Sequence, residues 1–361
     1  MIQGMSAVAI QPKTVLDVFG MLKTAIWIAD MGNDRLAGSV IAKCRASAQL
    51  AGLTLEEGRR RRREKMSTVP FDQMDGQIWF NGEFVPWRDA KVHVLTHGLH
   101  YASAVFEGER AYGGEIFKLR AHTDRLIESG RLLGFKVPYS AEEIDAACIE
   151  LLRRQGFADA YVRPIAWRGS EMMGVSAQNN RINVAIAIWQ WPSYFNPEQR
   201  MKGIRLDLAE YRRPDPRTAP SKAKASGLYM ICTISKHAAE AKGYADALML
   251  DWRGHVAEAT GANVFFVKDG VIHTPTADCF LDGITRRTVI ELAKRRGLEV
   301  RERTILPEEL DDLTECFLCG TAAEVTPVAE IGPHTFVPGE ISRQLIADYA
   351  AEVQPKRAAA E

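Results

Sequence analysis

Two lysines, Lys222 and Lys224, lie in Pro220-Ser221-Lys222-Ala223-Lys224-Ala225-Ser226-Gly227-Leu228-Tyr229, where small residues around Lys224 leave room for a planar ligand to approach the backbone. A lysine held in a crowded, partly dry place has a lowered pKa and can form a Schiff base with a carbonyl compound. Alone, the signal is weak, because a lysine at a helix start is usually just solvated. Three further segments narrow the choice. Glu258, in Val256-Ala257-Glu258-Ala259-Thr260-Gly261-Ala262-Asn263, sits in a small-residue loop between expected strands. A carboxylate there can keep a ring nitrogen protonated; the plain alternative is a surface turn acid. Gly283-Ile284-Thr285 opens an expected helix, and free backbone N–H groups at a helix start bind phosphate, although an N-cap threonine has the same appearance. Gly320-Thr321-Ala322-Ala323 follows an expected strand and offers a hydroxyl and more N–H groups, or merely a tight turn. Arg125, following Arg120-Ala121-His122, supplies a compensating positive charge. An anchoring lysine, an acid for a ring nitrogen and an anion site are together what pyridoxal 5'-phosphate requires.

These groups need a scaffold, and the local signals for one are clear. Ile78-Trp79-Phe80, Asn81-Gly82 and Glu83-Phe84-Val85 predict a hairpin, because Asn-Gly supplies the positive φ angles of a type I′ turn. Ser140 and Glu143 predict a capping box. Behind it Ile144, Ala147, Cys148, Leu151 and Leu152 fall on one helical face, with Gly156 to stop the helix. Tyr161 to Trp167 and Asn183 to Trp191 read as strands rich in Val, Ile and Trp. After a Pro-rich passage, Leu228 to Lys242 reads as a helix and Ala247 to Asp251 as a strand. Val264 to Val267 and Val271 to His273 flank a Lys268-Asp269-Gly270 turn, and Thr285 to Arg296 reads as a helix stopped by Gly297. The fold class is α+β. A smaller N-terminal α/β domain spans 66–191, a connection 192–206, a larger cofactor-binding domain 207–352, and a tail 353–361.

Lys+Arg and Asp+Glu both number 46 in 361 residues, so no net charge draws the chain to nucleic acid or an anionic membrane. No apolar run is long enough to span a bilayer. The six scattered cysteines do not form a disulfide framework, which fits a reducing cytoplasm. Cys316 and Cys319 form a C-x-x-C, but within Glu315-Cys316-Phe317-Leu318-Cys319, an expected strand, side chains three apart point to opposite faces. No metal site is expected. Residues 1–65 end in an Arg-rich run, Arg59 to Arg63, and are read as a leader outside the fold, an upstream extension with Met66 as the start. A partly helical appendage and a targeting segment are the alternatives.

The segments together resemble the branched-chain aminotransferases of the fold-type IV pyridoxal-phosphate enzymes over about Gln77 to Glu330. The similar stretches are His93 to Tyr101, Val105-Phe106-Glu107-Gly108, His122 to Leu126, Tyr161-Val162-Arg163-Pro164, Lys224 to Tyr229, Glu258 to Asn263, Gly283 to Arg286 and Gly320 to Thr326. The resemblance implies that Lys224 bonds the cofactor and then moves the proton between substrate and cofactor. It implies that Glu258 pairs with the ring nitrogen and Tyr229 with the phenolic oxygen. Arg125, Ile284, Thr285 and Thr321 would hold the phosphate, and Thr321 and Ala322 would face the substrate carboxylate. A substrate pocket of Tyr101, Phe106, Gly108, Tyr161, Arg163, Trp191 and Tyr194 is implied as well. Its aromatic walls would take leucine, isoleucine and valine. Arg163 and Tyr101 would take the distal carboxylate of glutamate. A homodimer or larger assembly is implied, with Tyr101 at or near the subunit interface.

Trp167-Arg168-Gly169-Ser170-Glu171 departs from the family pattern, placing charges where an apolar strand and loop are expected. It either alters specificity or forms a surface Arg–Glu pair. D-amino-acid aminotransferase, (R)-selective amine aminotransferase and aminodeoxychorismate lyase share the fold and are the nearest rivals. A non-catalytic descendant would have lost the lysine, the acid or the phosphate ligands, and all are present.

Overall fold

Asn81 and Gly82 take φ of 51° and 99°, and this two-residue turn joins β1 (Gln77–Phe80) to β2 (Glu83–Pro86) with Phe80 opposite Glu83, as a type I′ hairpin requires. The computed structural model describes residues 69–191 and 201–355. The readings placed on residues 1–65, on Tyr194 and on 192–200 fall outside the described residues. From Asp72 onward the chain groups as one unit.

Helix α1 (His97–Tyr101) is followed by β3 (Ala104–Phe106), β4 (Glu109–Tyr112) and β5 (Glu115–Ile116). Then come α2 (Leu119–Leu132), α3 (Ala141–Gln155), β6 (Ala160–Arg168) and β7 (Ile182–Gln190). The strands form an antiparallel sheet in the order β2-β1-β7-β6-β4-β5, with β3 also on β6. Helix α3 shows why sequence dictates placement. Ser140 accepts from Glu143 N, the Glu143 carboxylate takes Ser140 N, and Gly156 caps the other end at φ 68°. The five side chains of its apolar face, Ile144, Ala147, Cys148, Leu151 and Leu152, are buried, packed with Leu126 of α2 and Val162, Val184, Ile186 and Ile188 of the sheet. Roughly 1.5–3 kcal/mol per buried Leu or Ile stabilises this contact.

A second sheet begins at β8 (Ile204–Leu208), so the last three residues of the expected 192–206 connection are strand. A 3-10 turn over Ser226–Tyr229 precedes α4 (Met230–Ala241), so the expected helix from Leu228 opens more tightly wound than an α-helix. Then follow β9 (Asp246–Leu250), β10 (Val256–Ala259), β11 (Asn263–Lys268), β12 (Val271–Pro275), α5 (Ile284–Arg295) and β13 (Val300–Arg303). The chain continues through β14 (Glu315–Gly320), β15 (Glu324–Ile331), β16 (His334–Thr335) and α6 (Glu340–Glu352). Strand order runs β10-β9-β8-β15-β14-β11-β12-β13, and β10 also pairs with β11 through Glu258 and Asn263. That extra pairing closes six strands into a ring.

Side chains of the ring alternate between two cores, as the twofold strand period demands. Phe266, Cys316 and Leu318 face one core with Leu206, Leu248 and Val328. Phe265, Phe317 and Cys319 face the other, against Val289 and Ala293 of α5 and Leu345 of α6. Cys316 and Cys319 therefore lie on opposite faces, buried and free, and their shared spacing carries neither redox nor metal chemistry. The two sheets meet where Phe106 N donates to Lys224 O at 3.1 Å and Val105 bridges Ala225.

Candidate active site

Three contacts, from two elements, fix the backbone of Lys224. The end of β3 takes its carbonyl, Ala225 bridges Val105, and Lys224 N donates to Ser129 Oγ of α2 at 3.0 Å. The 3-10 turn that follows brings Tyr229 back over the lysine, and Nζ donates to Tyr229 Oη at 2.7 Å. Phe106 packs edge-on against Tyr229 with ring centroids 4.8 Å apart. Lys222 points elsewhere: it is exposed and lines a separate open cleft with Asp124 and Arg287.

Lys224 lines a pocket with about 770 Å³ of atom-free space. Of the residues singled out from sequence, Gly108, Arg125, Tyr161, Tyr229, Glu258, Ile284, Thr285, Thr321 and Ala322 line the same pocket. Glu258 is not in a loop and not a surface acid. It lies in β10, is buried, and sits at the pairing that closes the ring. Arg213 Nε stands 3.2 Å from its carboxylate, and Asn263 Nδ2 donates to it at 3.1 Å. Burial pushes the Glu258 carboxyl up to about 7, against the pull of Arg213, Lys224 and Arg286. An acid that one buried arginine does not fully neutralise fits a further cationic N–H, such as a protonated pyridine nitrogen.

Another part of the pocket suits an anion. Gly283, not a threonine, is the N-cap of α5, and no side chain caps the helix. Thr285 is therefore the second helical residue, and the first-turn N–H groups stay open to a ligand. A Cβ at Gly283 would overlap the Asn263 side-chain oxygen, so glycine lets the helix start approach this wall. Arg125 supplies positive charge: its Nη1 is buried and has no hydrogen-bond partner. The turn Thr321–Ala323 at the end of β14 completes the wall. A lysine, an under-neutralised acid and a cationic end thus fit pyridoxal 5'-phosphate.

Tyr161 of β6 lines the pocket, whereas Phe106, Arg163 and Trp191 do not line it themselves and stand around Tyr161 and Tyr229. Tyr161 stacks on Trp189 at 5.0 Å and leans on Trp191 at 5.1 Å. Arg163 Nη2 donates to Tyr161 Oη at 3.1 Å, and the guanidinium lies 4.8 Å from the centre of the Phe106 ring. Its Nε is buried and unpartnered. A Cβ at Gly108 would overlap the Tyr161 hydroxyl, so glycine keeps this corner open. Tyr101 does not join the pocket of its own chain. It is exposed on α1, stacks on His97 at 4.6 Å, and donates to Met173 O at 3.2 Å. Arg168 and Glu171 do not form an ion pair with each other. Arg168 donates to the carbonyls of Ala177 and Gly134 at 3.0 and 2.8 Å, while Glu171 accepts from Arg181 N at 3.2 Å. These charges satisfy backbone groups of the loop after β6 and of the turn after α2.

Two partners escaped the sequence reading. Arg213 lies 45 residues before Glu258 and carries no local pattern. Glu107 was visible only as part of Phe106-Glu107-Gly108, and its grip on Arg125 is a tertiary contact.

A family model described as amino-transferase class IV matches residues 104–331. The probable branched-chain-amino-acid aminotransferase of Rickettsia conorii is 45% identical over 267 residues, covering 74% of this chain and 90% of that protein. Among solved structures, the branched-chain aminotransferase of Thermoproteus uzoniensis with norvaline aligns with a TM-score of 0.74 at 37% identity, over 78% of this chain and 95% of that one. The branched-chain amino acid aminotransferase of Thermobaculum terrenum in its PLP-form aligns with a TM-score of 0.71 at 33% identity, over 77% of this chain and 94% of that one.

Proposed function

Because this chain belongs to the class IV aminotransferases, within their branched-chain-amino-acid group, we propose that the pocket around Lys224 is where it moves amino groups between leucine, isoleucine or valine and 2-oxoglutarate. Pyridoxal 5'-phosphate supplies the carbonyl that accepts the amino group and the ring that takes up negative charge at the substrate α-carbon. The residues of the chain do the rest.

Lys224 would bond the cofactor's carbonyl carbon, and once an amino acid displaces it its Nζ would carry the proton from the substrate α-carbon to that carbon. The 2.7 Å hydrogen bond to Tyr229 keeps Nζ over this site. Glu258, backed by Arg213 and Asn263, holds the proton on the ring nitrogen, so that charge developing at the α-carbon is stabilised. Arg125, the N–H groups of Ile284 and Thr285, and Thr321 grip the phosphate. The Thr321–Ala322 backbone receives the substrate carboxylate. Phe106, Tyr161 and Trp191 exclude water from the apolar side chain. When glutamate replaces leucine, the half-buried Arg163 guanidinium, whose Nε is without a partner, meets its distal carboxylate.

One observation carries this reading: Lys224 hydrogen-bonded to Tyr229 shares a pocket with the buried, incompletely neutralised Glu258 and the unpartnered Arg125 Nη1. We place the enzyme in the cytoplasm, supported by the free, buried cysteines among the described residues. No helix among the described residues is long and apolar enough to cross a membrane. We also assign residues 66–191 and 207–352 to two domains. The first sheet is drawn from the former, and nearly all of the second from the latter. The chain is read as a homodimer in which the exposed Tyr101 serves the pocket of a second copy.

Single-turnover assays test the substrate class. Stoichiometric 4-methyl-2-oxopentanoate is expected from L-leucine, with none of the corresponding products from D-alanine or (R)-1-phenylethylamine. Turnover of either of the latter two, with L-leucine inert, would contradict it.

A further inference from the structure

Arg125 stands at a wall shared by two cavities. It lines the pocket of Lys224, and it also lines the open cleft that holds Asp124, Glu128 and Asp282. A long side chain so placed needs its direction fixed, and Glu107 fixes it. Its carboxylate takes Arg125 Nε on Oε1 and Nη2 on Oε2, both at 2.7 Å. Oε2 also accepts from His122 Nδ1 at 2.7 Å and from Gly108 N at 3.3 Å. Both oxygens of a fully buried carboxylate are thereby engaged. Two of the three guanidinium nitrogens are committed, and only the buried Nη1 is left without a partner.

We propose that Glu107 is the positioning residue that sets the plane of Arg125, so that Nη1 is presented to the cofactor phosphate. The inference rests on the assignment of Arg125 to the phosphate. A bidentate carboxylate fixes a guanidinium in rotation as well as in place. Burial alone would raise the Glu107 carboxyl, but the charge and hydrogen bonds of Arg125, with those of His122, hold it well below the usual carboxylate range. The clamp therefore stays charged over the working pH range. The hydrogen bond to Gly108 N ties the same carboxylate to the corner beside Tyr161, so one side chain registers the phosphate end against the substrate end.

The test compares pyridoxal 5'-phosphate with pyridoxal, which lacks the phosphate, in fluorescence titrations of the full chain freed of cofactor. Glu107→Gln is expected to raise the Kd of the phosphorylated ligand by roughly 10- to 100-fold, and that of pyridoxal by no more than about 2-fold. A merely structural role would weaken both ligands alike, and equal losses, or no loss, would overturn the proposal. If Glu107→Gln does not yield folded protein, Glu107→Asp carries the same test. It keeps the charge but withdraws it by one methylene, and it should shift the ratio of the two constants in the same direction. Arg125→Ala separates the two claims. If that variant leaves the ratio unchanged, the assignment of Arg125 to the phosphate fails. If it changes the ratio while the Glu107 variants do not, only the role of Glu107 fails.

Discussion

Glu258 provides a prediction that does not depend on turnover. In the cofactor-free protein its buried carboxyl titrates near 7 instead of its usual 4.5, because burial outweighs the attraction of Arg213. A folded pKa above the unfolded one means that the folded state binds the proton more tightly. The stability this contributes is fully present below about pH 4.5 and is lost as pH rises through about 7. At roughly 1.4 kcal/mol per pH unit the whole effect is about 3 kcal/mol, most of which falls between about pH 5 and 8. Glu258→Gln cannot titrate, so the difference between the two proteins isolates this group. Urea denaturation of both cofactor-free proteins across that range should show wild type losing stability relative to the variant by about that amount. Adding the cofactor should flatten the wild-type curve, because a protonated ring nitrogen supplies the missing cation. Parallel curves for the two cofactor-free proteins would mean that Glu258 is not an under-neutralised acid.

Other substitutions probe different parts of the site. Arg163→Leu should raise KM for glutamate and 2-oxoglutarate by roughly 10- to 100-fold while leaving KM for leucine within about 3-fold, a split read in steady-state assays. Gly108→Ala places a methyl group on the Tyr161 hydroxyl, and Trp189 and Trp191 leave that ring little room to retreat. Overpacking of about 1–3 kcal/mol should lower kcat/KM for leucine by about 10-fold or more. Glu109 is buried with both carboxyl oxygens unpartnered, and burial beside Glu107 and Asp145 pushes its pKa well up. Glu109→Met should therefore stabilise the protein by about 1–3 kcal/mol at neutral pH, measured as an increase in the urea midpoint.

Local signals in the sequence were faithful wherever the physics is local. Asn81-Gly82 set a hairpin because two consecutive residues had to take positive φ. Ser140 and Glu143 set the start of α3 because both capping groups lie within one turn. The stretch from Lys224 to Tyr229 delivered a lysine and a phenol within hydrogen-bonding reach. Periodicity failed where placement is decided by distant chain. Small residues around Glu258 suggested a loop, whereas pairing with Met249 on one side and Asn263 on the other makes it a strand. Nothing near Arg213 marks it as the partner of that acid. Arg168 and Glu171 looked like a pair from proximity in sequence, yet each answers a backbone group brought to it by folding. Tyr101 belongs to a matching motif, but its placement on an exposed helix keeps it out of its own chain's pocket.

Lys224, and not the neighbouring Lys222, must bond the cofactor if this pocket is where amino groups are moved. Borohydride reduction of the loaded enzyme, followed by peptide mass mapping, decides between the two. Reduction fixes the cofactor to whichever lysine holds it. The added mass is expected on Lys224, in the pocket with Tyr229 and Glu258. The same mass on exposed Lys222, or on no lysine of this segment, would overturn the assignment and the mechanism built on it.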